Sequence, residues 1–337
     1  MSFVSARAAD FKPEAPMFAL ILANSLVSTI PGVSGAGESP EKSLLVPQLD
    51  AELIVSGMLS TEEDTPNTPT GCPTPAILTL AMMDLIGMHP LMIAAGIESE
   101  ISVPYLNLGE ACGGDPRLGN AVPGAHRLYE RGVKAGEYLS QTCDMLVLGE
   151  CLPGGTTTAL CVLRALGYAA KVSSCLVENP VTQKEQITAE AVTRVADAGV
   201  TYPLDIVARI GDPMIPVAAG IAEGYSGRLF LAGGTQMLAA AAVIRALGNT
   251  VPDVVTTSYV YNDPTATFRE TAAAIGCDAY YVDPGFDAIG HAGLARYAEG
   301  EIKDGSGAGG AMFLASLLGY TPEQIKDAIR YHINVYE

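Results

Sequence analysis

The chain has 337 residues, 49% of them hydrophobic, and a formal net charge of −18. That is ample for one large core, and so acidic a surface disfavours nucleic acid and anionic membranes as partners. The seven cysteines (Cys72, Cys112, Cys143, Cys151, Cys161, Cys175 and Cys277) contain no CxxC pair, and the four histidines show no HExxH spacing, so neither a disulfide framework nor a protein-bound metal is expected.

Residues 1 to about 16 read as a polar arm. An apolar run at 18–22 follows and reads as the first strand. Acids in the preceding stretch and the break at Asn24 and Ser25 argue against a signal peptide. Residues 60–75, acidic and proline-rich, read as a long loop before a helix at 74–86. A strand at 91–95, an irregular loop at 106–124 and a helix at 126–140 come next. Further strands are expected at 145–148, 171–173, 229–231, 254–259 and 279–282, with helices at 188–198 and 264–275 among them. A final helix starts at Pro322, with Thr321 as its N-cap. The alternation predicts an α/β fold, a mostly parallel Rossmann-like sheet flanked by helices with right-handed crossovers. No linker divides the chain, so 1–337 reads as one domain, with a core over about 80–310. No run reaches the length of a membrane span, and cysteines lying in apolar segments suit a reducing cytoplasm.

Residues 145–168 carry the strongest functional signal. A buried strand ends at Glu150, then come Gly154, Gly155, Thr156, Thr157 and Thr158, then an apolar helix. Such a turn gathers backbone N–H groups and hydroxyls at one point, which suits a phosphate. Glu150 stands at the carboxyl end of the strand, where ligands bind in open α/β sheets. The spacing is neither a Walker loop nor GxGxxG, so no nucleotide cofactor is implied. Gly233, Gly234, Thr235 and Gln236 repeat the design after the strand at 229–231. Gly305, Ser306 and Gly307 open another apolar helix without a clear strand before them. Three such turns predict a shared phosphate or ribose site. Helix N-termini or a lysine, with Lys303 and Lys171 as candidates, must supply its positive potential. Cys151 beside Glu150 is a nucleophile candidate without a histidine motif to activate it.

The segments GECLPGGTTTA from Gly149, KDGSGA from Lys303 and GDPMIPVAAG from Gly211 resemble the nicotinate-nucleotide–dimethylbenzimidazole phosphoribosyltransferase family of the cobalamin lower-ligand pathway. Adding PGVSGAG from Pro31, CPTPAI from Cys72, VSS from Val172, ENP from Glu178 and LAGGTQM from Leu231, the order is similar to the family's divergent branch in archaea and some cyanobacteria. The resemblance covers nearly the whole chain. Asp304 stands where the family has its glutamate base, and Ala232-Gly233 stands where it has Asp-Gly.

The resemblance implies a parallel sheet with a smaller lobe drawn from both chain ends, and a homodimer. It also implies transfer of phosphoribose from nicotinate mononucleotide to a benzimidazole-type base. Nicotinate bonded through a cationic ring nitrogen leaves without protonation. Glu150 is then placed to stabilise the oxocarbenium-like carbon, and Asp304 to take the acceptor's ring proton. Plainer readings stand beside these. Glu150 suits a helix start, Asp304 suits a helix cap, Glu301 is a second candidate base, and Gln236 suits a helix surface. Two alternative functions remain at this stage: a ribotide-binding protein without catalysis, and a transferase for another acceptor such as a phenol or adenine.

Overall fold

Short apolar runs build one sheet in the computed structural model, which describes residues 3–5, 12–59 and 66–336. The strands are β1 (Pro16–Ala23), β2 (Leu91–Ala95), β3 (Tyr105–Asn107), β4 (Met145–Cys151), β5 (Arg228–Ala232), β6 (Asp253–Thr257) and β7 (Ala279–Val282). All seven are parallel, in the order β3-β2-β1-β4-β5-β6-β7. The expected Rossmann-like α/β architecture is therefore observed. Alternation along β1 divides the core: Ala19, Ile21 and Ala23 pack on one face, Phe18, Leu20 and Leu22 on the other. Burial on both faces is why this strand reads as a continuous apolar run.

Helices Ala125–Leu139, Gly155–Ala165, Val181–Asp197, Pro203–Ile210, Met214–Gly224, Thr235–Ala246 and Phe268–Ile275 cover the first face. Helices Pro40–Ser56, Pro75–Ile86, Ala308–Leu317 and Pro322–Tyr336 cover the second. The segments from the two chain ends thus gather on one face and share a hydrophobic cluster with the sheet. Local chemistry sets the helix ends. Ser39 Oγ accepts from Lys42 N at 3.2 Å ahead of Pro40, and Gly57 closes that helix at φ 68°. Thr321 and Gln324 form a reciprocal capping box at the last helix.

Several expectations need correction. Residues 171–173 form no strand and join no sheet ladder. Ser173 N is bound by Thr235 Oγ1 at 3.3 Å, Lys171 N by Thr267 Oγ1 at 2.8 Å, and Ser173 O by Lys184 Nζ at 2.7 Å. Side chains have taken most of the ladder's partners, with Thr267 N donating to Lys171 O at 3.0 Å. The strand expected to run to Tyr259 stops at Thr257, which caps a helical turn at Ser258–Tyr261. The irregular stretch at 106–124 begins inside β3, a three-residue edge strand. Helix Pro40–Ser56 has no clean periodic signal, since Pro47 interrupts its pattern and its apolar residues divide between the core and a cavity. The expected arm and the loop at 60–75 lie partly outside the described residues. Among the described residues no helix is long and apolar enough to cross a membrane. All seven cysteines are free, and five of them are buried.

Candidate active site

The chain order of the strands reverses between β1 and β4, so their crossovers leave in opposite directions and open a crevice at their carboxyl ends. Gly149 of β4 lies in register with Leu20 of β1 and Ala232 of β5. A Cβ on Gly149 would stand 2.9 Å from Gly307 Cα. The bare glycine lets the turn at 305–307 press onto the strand, next to Glu150 at its end.

A cavity of about 280 Å³ occupies this crevice. The three glycine turns converge on it: Gly154, Gly155 and Thr156; Gly234, Thr235 and Gln236; Gly305 and Ser306. Glu150 and Asp304 line it as well. Three expected residues stand behind the wall instead. Thr157 is fully buried, with its hydroxyl unpartnered. Gly307, at φ 68°, packs against Phe18 and Gly149, and Gly233, at φ 153°, passes beside the Glu150 carboxylate. They shape the turns rather than face the cavity. Cys151 also lines it, but its thiol is buried beside Asp50 and its pKa is pushed well up by burial, the opposite of an activated nucleophile.

Glu150 is 3% exposed, and Gln236 Nε2 donates to its Oε2 at 3.1 Å and to Leu152 O at 3.0 Å. Gln236 thus lines the cavity, half-buried, with its amide turned to Glu150. Burial, with the charges of Asp304 and Asp212 adding to it, raises the Glu150 pKa to about 8. Asp304 Oδ1 accepts from Gly305 N at 2.8 Å and Gly309 N at 3.1 Å, and Oδ2 accepts from Thr256 Oγ1 at 2.8 Å. Asp304 therefore does cap the helix Ala308–Leu317, while its side chain still lines the cavity. Desolvation raises its pKa against those donors and the backbone N–H of Thr257.

Glu301 is placed elsewhere. Its Oε1 accepts from Thr68 and Thr70, and its Oε2 from Arg296 Nε. Burial raises its pKa, but these hydrogen bonds outweigh burial and bring it below the ordinary value. It ties the loop at 68–70 and does not line the cavity.

Lys171 is exposed, whereas Lys303 is buried and binds carbonyls of the wall, donating to Ser174 O and Gly300 O at 2.7 Å each. Asp263 lies 3.7 Å from its Nζ. Lys184, 1% exposed, donates to Ser173 O, and burial lowers its pKa to about 8. Two lysines therefore stand behind the segment 173–175, which lines the cavity. Helix polarity at the turns adds to this positive potential.

Several contributing residues escaped sequence reading. Asp212 is buried beneath the first turn, where Thr158 Oγ1 donates to it at 2.5 Å. Asp50, on helix Pro40–Ser56, lines the cavity and accepts from Ser306 Oγ. Lys184 sits in a polar run that reads as helix surface. The GDPMIP, VSS, CPTPAI and PGVSGAG segments were the available signal: Asp212 belongs to the first, and the other three contribute Ser173, Thr74 and residues 33–37 to the cavity.

No family model matches the chain. A UPF0284 protein of Thermococcus gammatolerans is 41% identical over 322 residues, spanning 93% of this chain and 96% of its own length. One from Methanothermobacter thermautotrophicus is 40% identical over 333 residues, spanning 93% and 91%. Among solved structures, a nicotinate-nucleotide–dimethylbenzimidazole phosphoribosyltransferase of Thermus thermophilus aligns at TM-score 0.63 and 16% identity, over 95% of this chain and 84% of that one. A CobT structure from the same organism gives 0.63 and 15%, over 96% and 85%. The archaeal relatives carry the family and the Thermus structures carry the fold. The chain belongs to the UPF0284 family, built on the fold of nicotinate-nucleotide–dimethylbenzimidazole phosphoribosyltransferase.

Proposed function

We propose that the protein transfers phosphoribose from nicotinate mononucleotide to a benzimidazole-type base, yielding an α-ribazole-phosphate-like product and nicotinate for the cobalamin lower-ligand pathway. One observation carries this reading: two carboxylates, Glu150 and Asp304, face a single cavity walled by three glycine turns that each open a helix. The turns hold the phosphate, and that remote binding energy fixes the ribose carbon between the carboxylates.

The acceptor's unprotonated ring nitrogen attacks C1′ as the bond from C1′ to the nicotinate nitrogen breaks. Nicotinate takes the bonding pair and leaves with a neutral ring. The acceptor's N–H proton passes to the Asp304 carboxylate. Glu150 is held protonated near neutral pH by burial and by Asp304. The cationic pyridinium ring of the ribotide beside it favours its ionised form, which then stabilises the oxocarbenium-like carbon.

The test is chromatographic: nicotinate mononucleotide incubated with and without benzimidazole. Free nicotinate and a new ribotide in equal amounts, dependent on the base, are expected. The other reading, ribotide binding without transfer, is favoured by the three hydrogen bonds that already engage Asp304; saturable binding without product would establish it. The homodimer belongs to the same proposal, and light scattering at micromolar concentration checks it, a monomer counting against it.

A further inference from the structure

Glu301 has no part in the transfer step, yet it is 8% exposed and bound at both oxygens. Its Oε1 accepts from Thr68 Oγ1 at 2.7 Å and Thr70 Oγ1 at 2.5 Å, and its Oε2 from Arg296 Nε at 2.5 Å. Hydrogen bonds to an ionised group are the strong kind. The two threonines belong to a small hairpin over 66–74. Thr68 N donates to Cys72 O at 2.8 Å and Thr74 N to Pro66 O at 2.9 Å, which closes it. Its incoming arm, Pro66, Asn67, Thr68 and Pro69, lines the cavity. Pro66, Cys72 and Pro73 are buried and root the hairpin, whereas residues 69–71 at the tip are exposed.

The outer side of the hairpin meets the segment 291–301. Gly71 O docks above Gly293, where a Cβ would stand 2.1 Å from it, and Tyr297 Oη donates to Pro73 O at 2.9 Å. Thr70 and Gly71 carry no large apolar side chain, so hydroxyls and a carbonyl hold the tip. At the root, a Cβ on Gly305 would stand 2.9 Å from Pro75 Cγ, so the hairpin's exit abuts the third glycine turn. Glu301 also opens the strained stretch, with Ile302 at φ 62° and Lys303 at φ 70° leading to Asp304. One carboxylate thus joins a wall of the cavity to the loop that carries the candidate base.

We infer that the tip of this hairpin, residues 67–71, is a flap over the cavity and that Glu301 is the latch that holds it shut. Glu301 is a positioning residue, reaching the ligand only through Thr68 and its neighbours. The inference takes its occupant, nicotinate mononucleotide, from the transferase reading. An exposed tip held by polar bonds opens at low cost. A ligand that touches the inner arm only when the flap is shut shifts it towards the closed form. Closure keeps water from the reacting ribose carbon.

Hydrogen exchange read by mass spectrometry, with and without nicotinate mononucleotide, tests the latch without turnover. In the wild type the ribotide slows exchange across 66–74. Glu301→Gln removes the charge from the threonine and Arg296 bonds. In the free variant, exchange across 66–74 rises about tenfold or more while β4 is unchanged. The ribotide restores the protection but binds about tenfold more weakly. Thr70→Val, at an exposed site outside the cavity lining, reproduces both effects if Glu301→Gln melts early. In turnover, KM for the ribotide rises about tenfold and kcat stays within about twofold, because Asp304 keeps its bonds to Thr256, Gly305 and Gly309. A general structural lesion lowers kcat as well and counts against the latch. Unchanged exchange in both variants, or faster exchange with unchanged affinity, overturns the inference. So does a wild type that forms product while exchange across 66–74 ignores the ribotide. The expected exchange and affinity without ribotide product leave the latch standing and remove the transferase reading instead.

Discussion

Two of the glycine turns reach the same cavity by opposite routes. In the turn after β4 the left-handed residue is Gly154, at φ 78°, where glycine adopts the conformation without steric penalty. In the loop before helix Ala308–Leu317, Ile302, Lys303 and Ser306 take φ of 62°, 70° and 46°. These are three of the four non-glycine residues with positive φ among the described residues. Such strain persists only where the surroundings over-determine it. Here Thr79 Oγ1 donates to Ser306 O at 2.8 Å, Thr257 Oγ1 donates to Lys303 O at 2.6 Å, and Lys303 Nζ reaches across to Ser174 O. Ser306 Oγ is in turn held by Asp50. The first turn is specified by its own residues, and the second by residues far away in the chain. The candidate base sits in the second.

Four measurements break or sharpen this contrast. The largest effect is expected from Asp304→Asn, which keeps the side chain's size but removes its charge. Transfer should fall by about 10²–10⁴-fold with ribotide binding nearly intact; full activity would make the second turn purely structural.

Next is Lys303→Met, which removes the remote anchor and leaves Asp263 and the wall carbonyls without their cation. Denaturant unfolding should show a loss of about 3–5 kcal/mol. A loss no larger than that of an ordinary surface change would mean that the strained loop holds itself.

The carboxylate of the first turn gives a pH signature. The Glu150 pKa is raised from 4.5 to about 8. Between those values the unfolded chain releases the proton and the folded chain keeps it. Stability therefore falls as pH rises through that window, by a few kcal/mol, and changes no further above it. Urea unfolding at pH 5 and pH 8 should show this slope in the wild type and a flatter one in Glu150→Gln.

The smallest effects contrast the backbones directly. Gly154→Ala places a Cβ 2.8 Å from Ser28 N at a left-handed φ, and should cost about 1–3 kcal/mol. Ser306→Gly relieves strain while losing the bond to Asp50, so its net change should stay within about 1 kcal/mol. Thermal melts of the pair check both signs.

This contrast also explains what the sequence made legible. The strand, Glu150 and the glycine turn after β4 are contiguous, and each has a local chemical signature, so their grouping reads directly. The sheet was accessible for the same reason: doubly buried strands are continuous apolar runs bounded by turn residues. Residues 171–173 misled because β-branched and small residues there satisfy their backbone through Thr235, Thr267 and Lys184, which are distant in sequence. Asp50 and Lys184 had no local mark either. One lies on a helix interrupted by Pro47, the other in a run of polar helix residues, and only the fold turns them inward. Glu301 and Asp304 could not be separated by spacing; Arg296 and the threonines at 68 and 70 occupy the first and leave the second on the cavity.

The central claim is that both turns serve one ribotide. A crystal structure of the protein with nicotinate mononucleotide tests it most directly. The account predicts the phosphate within hydrogen-bond reach of Gly154, Gly155 and Thr156, with the ribose C1′ lying between Glu150 and Asp304. A phosphate bound away from that turn, or a C1′ beyond reach of both carboxylates, would contradict it.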